Sequence, residues 1–333
     1  MVISKTPFRV SFFGGGTDYP VWYKDHPGAV LSTTINKYCF ITVRPLPPFF
    51  DYKYRIRYTN REETKSISEI QHPSVKECLE FLNTDNYFDK GLEILHHSDL
   101  PAFTGLGSSS AFTVGLLHAL YALKGQMVSK EQLTKDAIHV EQNLIKESVG
   151  SQDQTAAAYG GFNKISFGDT INVTPLTIPA ERVLELQKHL MIFFTGFSRI
   201  ASDVAAVQIK ETPDRSKELY QMYQLVEYAL QILLSSNNIA EFGKLLHETW
   251  LLKRSLTNKI SNPGIDTMYE AALNKGAIGG KLLGAGGGGC ILFFVPPELQ
   301  DKVKESLKDL LFVPIEFERN GSQIIYFDPS EDF

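Results

Sequence analysis

The 333 residues are enough for one large or two medium domains, and a content of 43% hydrophobic and 21% charged residues excludes a short peptide module, a disordered chain and a low-complexity polymer. Thirty-three basic against 38 acidic residues give a net charge of -5 with no dominant basic block, which argues against nucleic acid as the main ligand but leaves room for a local cationic pocket. Cys39, Cys78 and Cys290 are too widely spaced for a disulfide lattice or a metal pair. No apolar run reaches the roughly 18 residues that span a bilayer, and no secretory leader pattern opens the chain, so the expected setting is the cytoplasm, without a membrane partner.

In chain order, Pro7 to Phe13 reads as a strand stopped by Gly14-Gly15-Gly16, and Ala29 to Val43 as further strand sequence rich in β-branched and aromatic residues. Residues 45–70 mix prolines, aromatics and cations, which predicts an irregular excursion with one or two short strands. Helical periodicity runs from Ser74 to Leu95 and ends at His96-His97. Ser108 to Leu123 predicts a largely buried helix, and Lys130 to Ser148 a more amphipathic one. Phe162 to Val173 returns to sheet, Leu190 to Phe194 is a buried-strand candidate, and helices are expected near 214–234, 239–256 and 263–274. Gly279 to Gly289 predicts a glycine-rich loop before a central strand at Cys290 to Val295. A boundary near residue 180 divides the chain into expected units of 1–180 and 181–333.

Chemistry concentrates first in Pro101-Ala102-Phe103-Thr104-Gly105-Leu106-Gly107-Ser108-Ser109-Ser110-Ala111. Glycines before a helix start, followed by three hydroxyls, present consecutive backbone donors that can surround phosphate oxygens. The segment lacks the Gly-Lys-Ser/Thr ending of the Walker loop, and a glycine turn with a serine cap is the competing account. Downstream, Glu141 sits where a carboxylate could hold magnesium near a phosphate, and Asp153, in Gly150-Ser151-Gln152-Asp153-Gln154, where one could orient or deprotonate an acceptor hydroxyl. A helix cap explains Asp153 as well. Near the N-terminus, Asp18 offers acceptors for sugar hydroxyls, while Arg9 or Lys5 can answer phosphate charge. Arg9 on an exposed strand edge is the alternative, and a hinge is the alternative for the late glycine run.

Taken together, Pro7 to Tyr19, Pro101 to Ala111 and Gly279 to Cys290 resemble, in order and separation, the three motifs of the GHMP small-molecule kinases. The wording around Phe8 to Tyr19 and Gly150 to Gln154 resembles the branch that acts on D-glycero-D-manno-heptose 7-phosphate. The resemblance implies an α+β fold, with an N-terminal left-handed βαβ domain, a C-terminal ferredoxin-like domain and a site between them. It implies ATP and Mg2+ as cofactors. It implies phosphorylation of the anomeric oxygen to a 1,7-bisphosphate, as the alpha anomer, for nucleotide-activated heptose synthesis. An L-fucokinase-like free-sugar 1-kinase is the alternative, and a nonenzymatic sugar-binding regulator a further one; a homodimer is compatible with either.

Carried over residue by residue, the resemblance puts Gly105, Leu106, Gly107, Ser108, Ser109 and Ser110 around the nucleotide phosphates and gives Ser109 and Glu141 to magnesium. Asp153 becomes the base, and Arg9 the cation that answers charge near the acceptor. Gly15, Gly16, Thr17 and Asp18 fall at the sugar, Lys5 or Arg199 at its distal phosphate, and Gly284, Gly286 and Gly287 in the supporting third motif.

Overall fold

A computed structural model describes residues 1–196, 201–236 and 238–328. Its first sheet is built on β1 (Val2–Phe13) and β2 (Gly28–Pro45), long antiparallel strands whose β-branched and aromatic residues are buried almost throughout. The chain continues through α1 (Pro20–Tyr23, between those strands), β3 (Tyr54–Arg57), β4 (Arg61–Thr64), α2 (Pro73–Leu82) and β5 (Leu92–Ser98). β3 pairs in parallel with β5, so α2 lies in a βαβ crossover, while β5 pairs antiparallel with β2. Then come α3 (Ser108–Leu123), α4 (Lys130–His139), α5 (Gln152–Tyr159), β6 (Phe162–Phe167) and β7 (Asn172–Pro175).

The second half runs through α6 (Ala180–His189), β8 (Leu190–Phe194), α7 (Ala201–Glu211), α8 (Ser216–Leu234), α9 (Ala240–Leu256), α10 (Pro263–Asn274), β9 (Gly279–Leu282), β10 (Cys290–Phe294), α11 (Gln300–Ser306) and β11 (Leu311–Val313). Its sheet has the antiparallel order β11-β8-β10-β9, with the first strand between the last and the third, as in a ferredoxin-like arrangement. The halves share a core. Phe13 of β1 meets Phe242 of α9 edge to face at 5.0 Å between ring centroids, and Phe242 in turn packs on Phe294 of β10.

The chain ends by crossing back. β12 (Phe317–Glu318) pairs with β2 and β13 (Gln323–Phe327) with β1, so the end of the stretch expected as a separate unit, 181–333, belongs to the first sheet. Short strands without strong alternation left no sequence signal for this return. The helix expected from Ser74 to Leu95 stops at Leu82; Asn83 to Asn86 turn the chain, and Leu92 and Ile94 face the core as alternate residues of β5, which also carries His96 and His97. Similarly, α4 ends at His139 and passes into a π-helical turn, Val140–Leu144, which holds Glu141. Gly279 to Leu282 forms β9, leaving only the following glycines as loop.

Candidate active site

A cavity of about 360 Å3 opens between the end of β1, the amino ends of α3 and α5, the last turn of α9 and the turn after β9. One wall is the loop into α3. Gly105 and Gly107 have φ of +75° and +78°, conformations that L side chains rarely adopt, and a Cβ on Gly105 would stand 2.5 Å from the Leu283 carbonyl oxygen. Gly284 presses on Gly105 from the other side in the same way. Two glycine motifs some 180 residues apart therefore touch backbone to backbone. α3 begins without a side-chain cap, leaving the free N–H groups of its first turn beside Ser108 and Ser109, which line the cavity.

Facing that helix end is a bidentate ion pair. Arg9 Nε donates to Asp153 Oδ1 at 2.7 Å and Nη2 to Oδ2 at 2.7 Å, while Nη1 donates to the Gly105 carbonyl, also at 2.7 Å. The guanidinium is buried and the carboxylate only partly so, which leaves Asp153 open to the cavity from the first turn of α5. Each carboxylate oxygen keeps a lone pair beyond the one Arg9 uses. Ser151 holds the N-cap position, so Asp153 is not the helix cap.

Asp18 is buried close by. Gly16 N–H donates to its Oδ1 at 2.8 Å, and its backbone carbonyl accepts from Ser151 N–H at 2.9 Å. Burial raises the Asp18 pKa above the ordinary carboxylate value, opposed by the Gly16 N–H and reinforced by the charge of Asp153. Gly15 and Gly16 line the same wall.

Glu141 lies one layer behind. Ser110, not Ser109, touches it: Ser110 Oγ donates to Glu141 Oε2 at 2.9 Å, and Gln154 Nε2 donates to the same oxygen. The 100° step of a helix turns Ser110 inward and leaves Ser109 facing the cavity, so the hydroxyl bonded to Glu141 is that of Ser110, and Ser109, given to magnesium together with Glu141, makes no direct contact with it among the described residues. Glu141 Oε1 is buried without a hydrogen-bond partner, and burial pushes the carboxyl up to about 7. An unsatisfied carboxylate oxygen beside serine hydroxyls is the hard oxygen donor set that suits magnesium.

Several expected residues fall elsewhere. The Lys5 ammonium sits over the Tyr38 ring at 3.8 Å, four residues along β1 from Arg9, and does not line the cavity. Thr17 Oγ1 donates to the Gly14 and Ala29 carbonyls, bracing the turn rather than facing the cavity. Leu106 is fully buried; its carbonyl accepts from Arg9 N–H. Gly286 and Gly287 pack on Ile260, and of the third-motif glycines only Gly284 reaches the cavity wall. Arg199 lies outside the described residues.

Other lining residues were given no role by the sequence. Lys253 and Lys281 are buried lysines of α9 and β9, the second of them inside the third glycine motif. At the opposite end His72 stacks on Phe112 at 4.7 Å, with Tyr58 edge-on to His72 and His96 edge-on to Phe112. Burial lowers His72 and takes His96 down to about 4, so this end is aromatic and uncharged near neutrality.

The profile of the GHMP kinases N terminal domain matches residues 74–161, and that of the GHMP kinases C terminal domain matches residues 227–311. The chain belongs to the GHMP kinase family. GHMP kinases are ATP-dependent phosphotransferases, and this chain is such an enzyme. It is similar, at 27% identity over 314 residues and 92% of either chain, to the D-glycero-alpha-D-manno-heptose 7-phosphate kinase of Campylobacter jejuni. Over 90% of this chain it is 26% identical to 30% of the bifunctional fucokinase/GDP-fucose pyrophosphorylase of Arabidopsis thaliana. A crystal structure of a D-glycero-D-manno-heptose 1-phosphate kinase from Bacteroides thetaiotaomicron superposes with a TM-score of 0.79 at 25% identity, covering 98% of this chain and 100% of that one. The GHMP kinase fold, two halves of mixed sheet and helix, is thus the architecture expected from the three motifs.

Proposed function

We propose that this GHMP kinase transfers the γ-phosphoryl group of ATP to the anomeric oxygen of D-glycero-D-manno-heptose 7-phosphate, giving the alpha 1,7-bisphosphate for nucleotide-activated heptose synthesis. The observation that carries the reading is the bidentate Arg9–Asp153 pair opposite the uncapped amino end of α3. A hydroxyl and a triphosphate can meet there with a carboxylate beside the hydroxyl. Similarity to the Campylobacter heptose 7-phosphate kinase over nearly the whole chain supports the acceptor.

In this account the aromatic end formed by Tyr58, His72, His96 and Phe112 takes the purine, and the loop from Gly105 to Ser110 takes the phosphates. Glu141 and the serines at the start of α3 would hold magnesium, which when bound neutralises phosphate charge. Asp153 accepts a hydrogen bond from the anomeric hydroxyl through a lone pair left free by Arg9, and Arg9 fixes the carboxylate in plane. As the new O–P bond forms, the bond from the γ-phosphorus to the bridging oxygen breaks, ADP leaves, and the hydroxyl proton passes to Asp153. Asp18, held by Gly16, orients the sugar hydroxyls together with the Gly15–Gly16 backbone.

The test follows ATP consumption and intact product mass with heptose 7-phosphate, its dephosphorylated form and L-fucose as separate acceptors. Heptose 7-phosphate is expected to give the highest kcat/KM and a product with a second phosphate. Exclusive turnover of L-fucose would move the assignment to a free-sugar 1-kinase, and nucleotide binding without transfer to any acceptor would reject an active sugar kinase.

A further inference from the structure

The end of the cavity proposed for the acceptor is lined by three basic side chains among the described residues, Arg9, Lys253 and Lys281. Arg9 is matched in charge by Asp153 and has three donors committed to Asp153 and Gly105. The lysines are different. Lys253 Nζ donates to the Leu282 carbonyl at 3.2 Å and to the Gly284 carbonyl; Lys281 Nζ donates to the Ser11 and Phe12 carbonyls, both at 2.9 Å. An ammonium has three N–H groups, so each keeps one donor without a partner among the described residues. Among the described residues neither lysine has a carboxylate in a salt bridge; Asp18 is the other acid near them, and Glu147, which also lines the cavity, lies toward Glu141. Arg9 and two buried amines face the two carboxylates Asp18 and Asp153 at this end, so an anion bound here would meet free N–H donors and draw protons onto the amines, an arrangement that favours an anionic ligand.

We infer that Lys253, with Lys281 beside it, recognises a phosphate carried by the acceptor itself, so that this end of the cavity selects a phosphorylated sugar over the free sugar. The inference rests on the proposed sugar kinase reading and replaces Lys5, which lies outside the cavity, as the source of charge for that phosphate. Both ammonium groups are positioned by backbone carbonyls rather than by flexible side chains, which fixes their free donors in advance of binding. Both belong to the second half but brace different segments: Lys253 holds the turn that touches the proposed phosphate loop, and Lys281 the end of β1 that leads to Gly15 and Asp18. Burial, aided by the charge of Arg9, lowers the Lys253 pKa to about 8, and burial with the charge of Lys253 holds Lys281 well below the ordinary lysine value, so both amines gain from a bound anion.

The test compares kcat/KM for heptose 7-phosphate and dephosphorylated heptose in the wild type and in Lys253→Met. The wild type is expected to prefer the phosphorylated acceptor by about a hundredfold, the value of a charged hydrogen-bond set, and Lys253→Met to cut that ratio by about tenfold or more through KM for the phosphorylated acceptor. An unchanged ratio, or an equal loss for both acceptors, would show a structural or γ-phosphoryl role and overturn the inference. Should Lys253→Met not fold, calorimetry of the wild type near pH 8 in buffers of different ionisation enthalpy decides: proton uptake with heptose 7-phosphate but not with the free sugar supports the assignment, and no difference in uptake overturns it. Turnover of neither sugar would instead refute the underlying kinase reading, a result separable from loss of phosphate discrimination.

Discussion

Gly150 and Asp18 are in contact so close that a Cβ on residue 150 would stand 1.9 Å from Asp18 Oδ2. The absence of a side chain at 150 lets the segment leading into α5 lie against Asp18, and the Ser151 N–H then reaches the Asp18 carbonyl. One glycine therefore sets the separation between Asp18 and Asp153, the acids proposed at the sugar and at its reacting oxygen. Gly150→Ala must displace Asp18 or lift the start of α5. We expect a loss of about 1–3 kcal/mol in urea unfolding, the usual cost of overpacking, and a larger rise in KM for the acceptor than for ATP.

Arg9 and Asp153 should separate in their effects. Arg9 also holds the Gly105 carbonyl, so Arg9→Lys, which cannot reproduce the planar fork, is expected to weaken ATP binding and to lower kcat about 10- to 100-fold. Steady-state kinetics with each substrate varied in turn measures both. Unaltered ATP affinity in Arg9→Lys would mean that the guanidinium does not support the phosphate loop.

Glu141 gives a stability test that needs no substrate. Burial raises its pKa from 4.5 to about 7, so the fold favours the protonated carboxyl; this contribution is fully present below the unfolded value and is lost as pH rises through about 7. Unfolding of the metal-free chain should show it weakening over that window by roughly 3 kcal/mol from this group, and Glu141→Gln should flatten the profile. The same variant should lose magnesium-dependent stabilisation by ATP, and chelation of magnesium should remove that stabilisation from the wild type.

The lysine inference predicts a second pH limb. Lys253 is charged below about pH 8 and neutral above it, so kcat/KM for the phosphorylated acceptor should fall as pH rises through that value. The groups around it, Arg9, Asp18, Tyr19, Asp153 and Lys281, line the same end of the cavity. A matching fall with the dephosphorylated sugar would assign the limb to another of these groups.

The loop proposed for the phosphates was legible as a turn and a helix start because Gly105, Gly107 and three serines before an apolar helix specify both locally. Asp153 and Arg9 were identifiable as candidates, but their bond spans 144 positions and appears only once β1 and α5 are packed. Ser109 and Ser110 could not be told apart, since the choice depends on the rotation of α3 against the π-helical turn that carries Glu141. Lys253 and Lys281 were hidden for a different reason. A lysine in an amphipathic helix or before a glycine run looks solvent-exposed until tertiary contacts bury it, and the same holds for the return of β12 and β13 to the first sheet.

Single-turnover transfer by Asp153→Asn tests the central claim most directly, with ATP binding measured on the same folded preparation. The account predicts ATP affinity within about threefold of wild type and a transfer rate lower by about 10²–10⁴-fold, the range of a lost general base. Transfer at the wild-type rate in the folded variant would contradict it, because the carboxylate held by Arg9 would then have no part in moving the phosphoryl group.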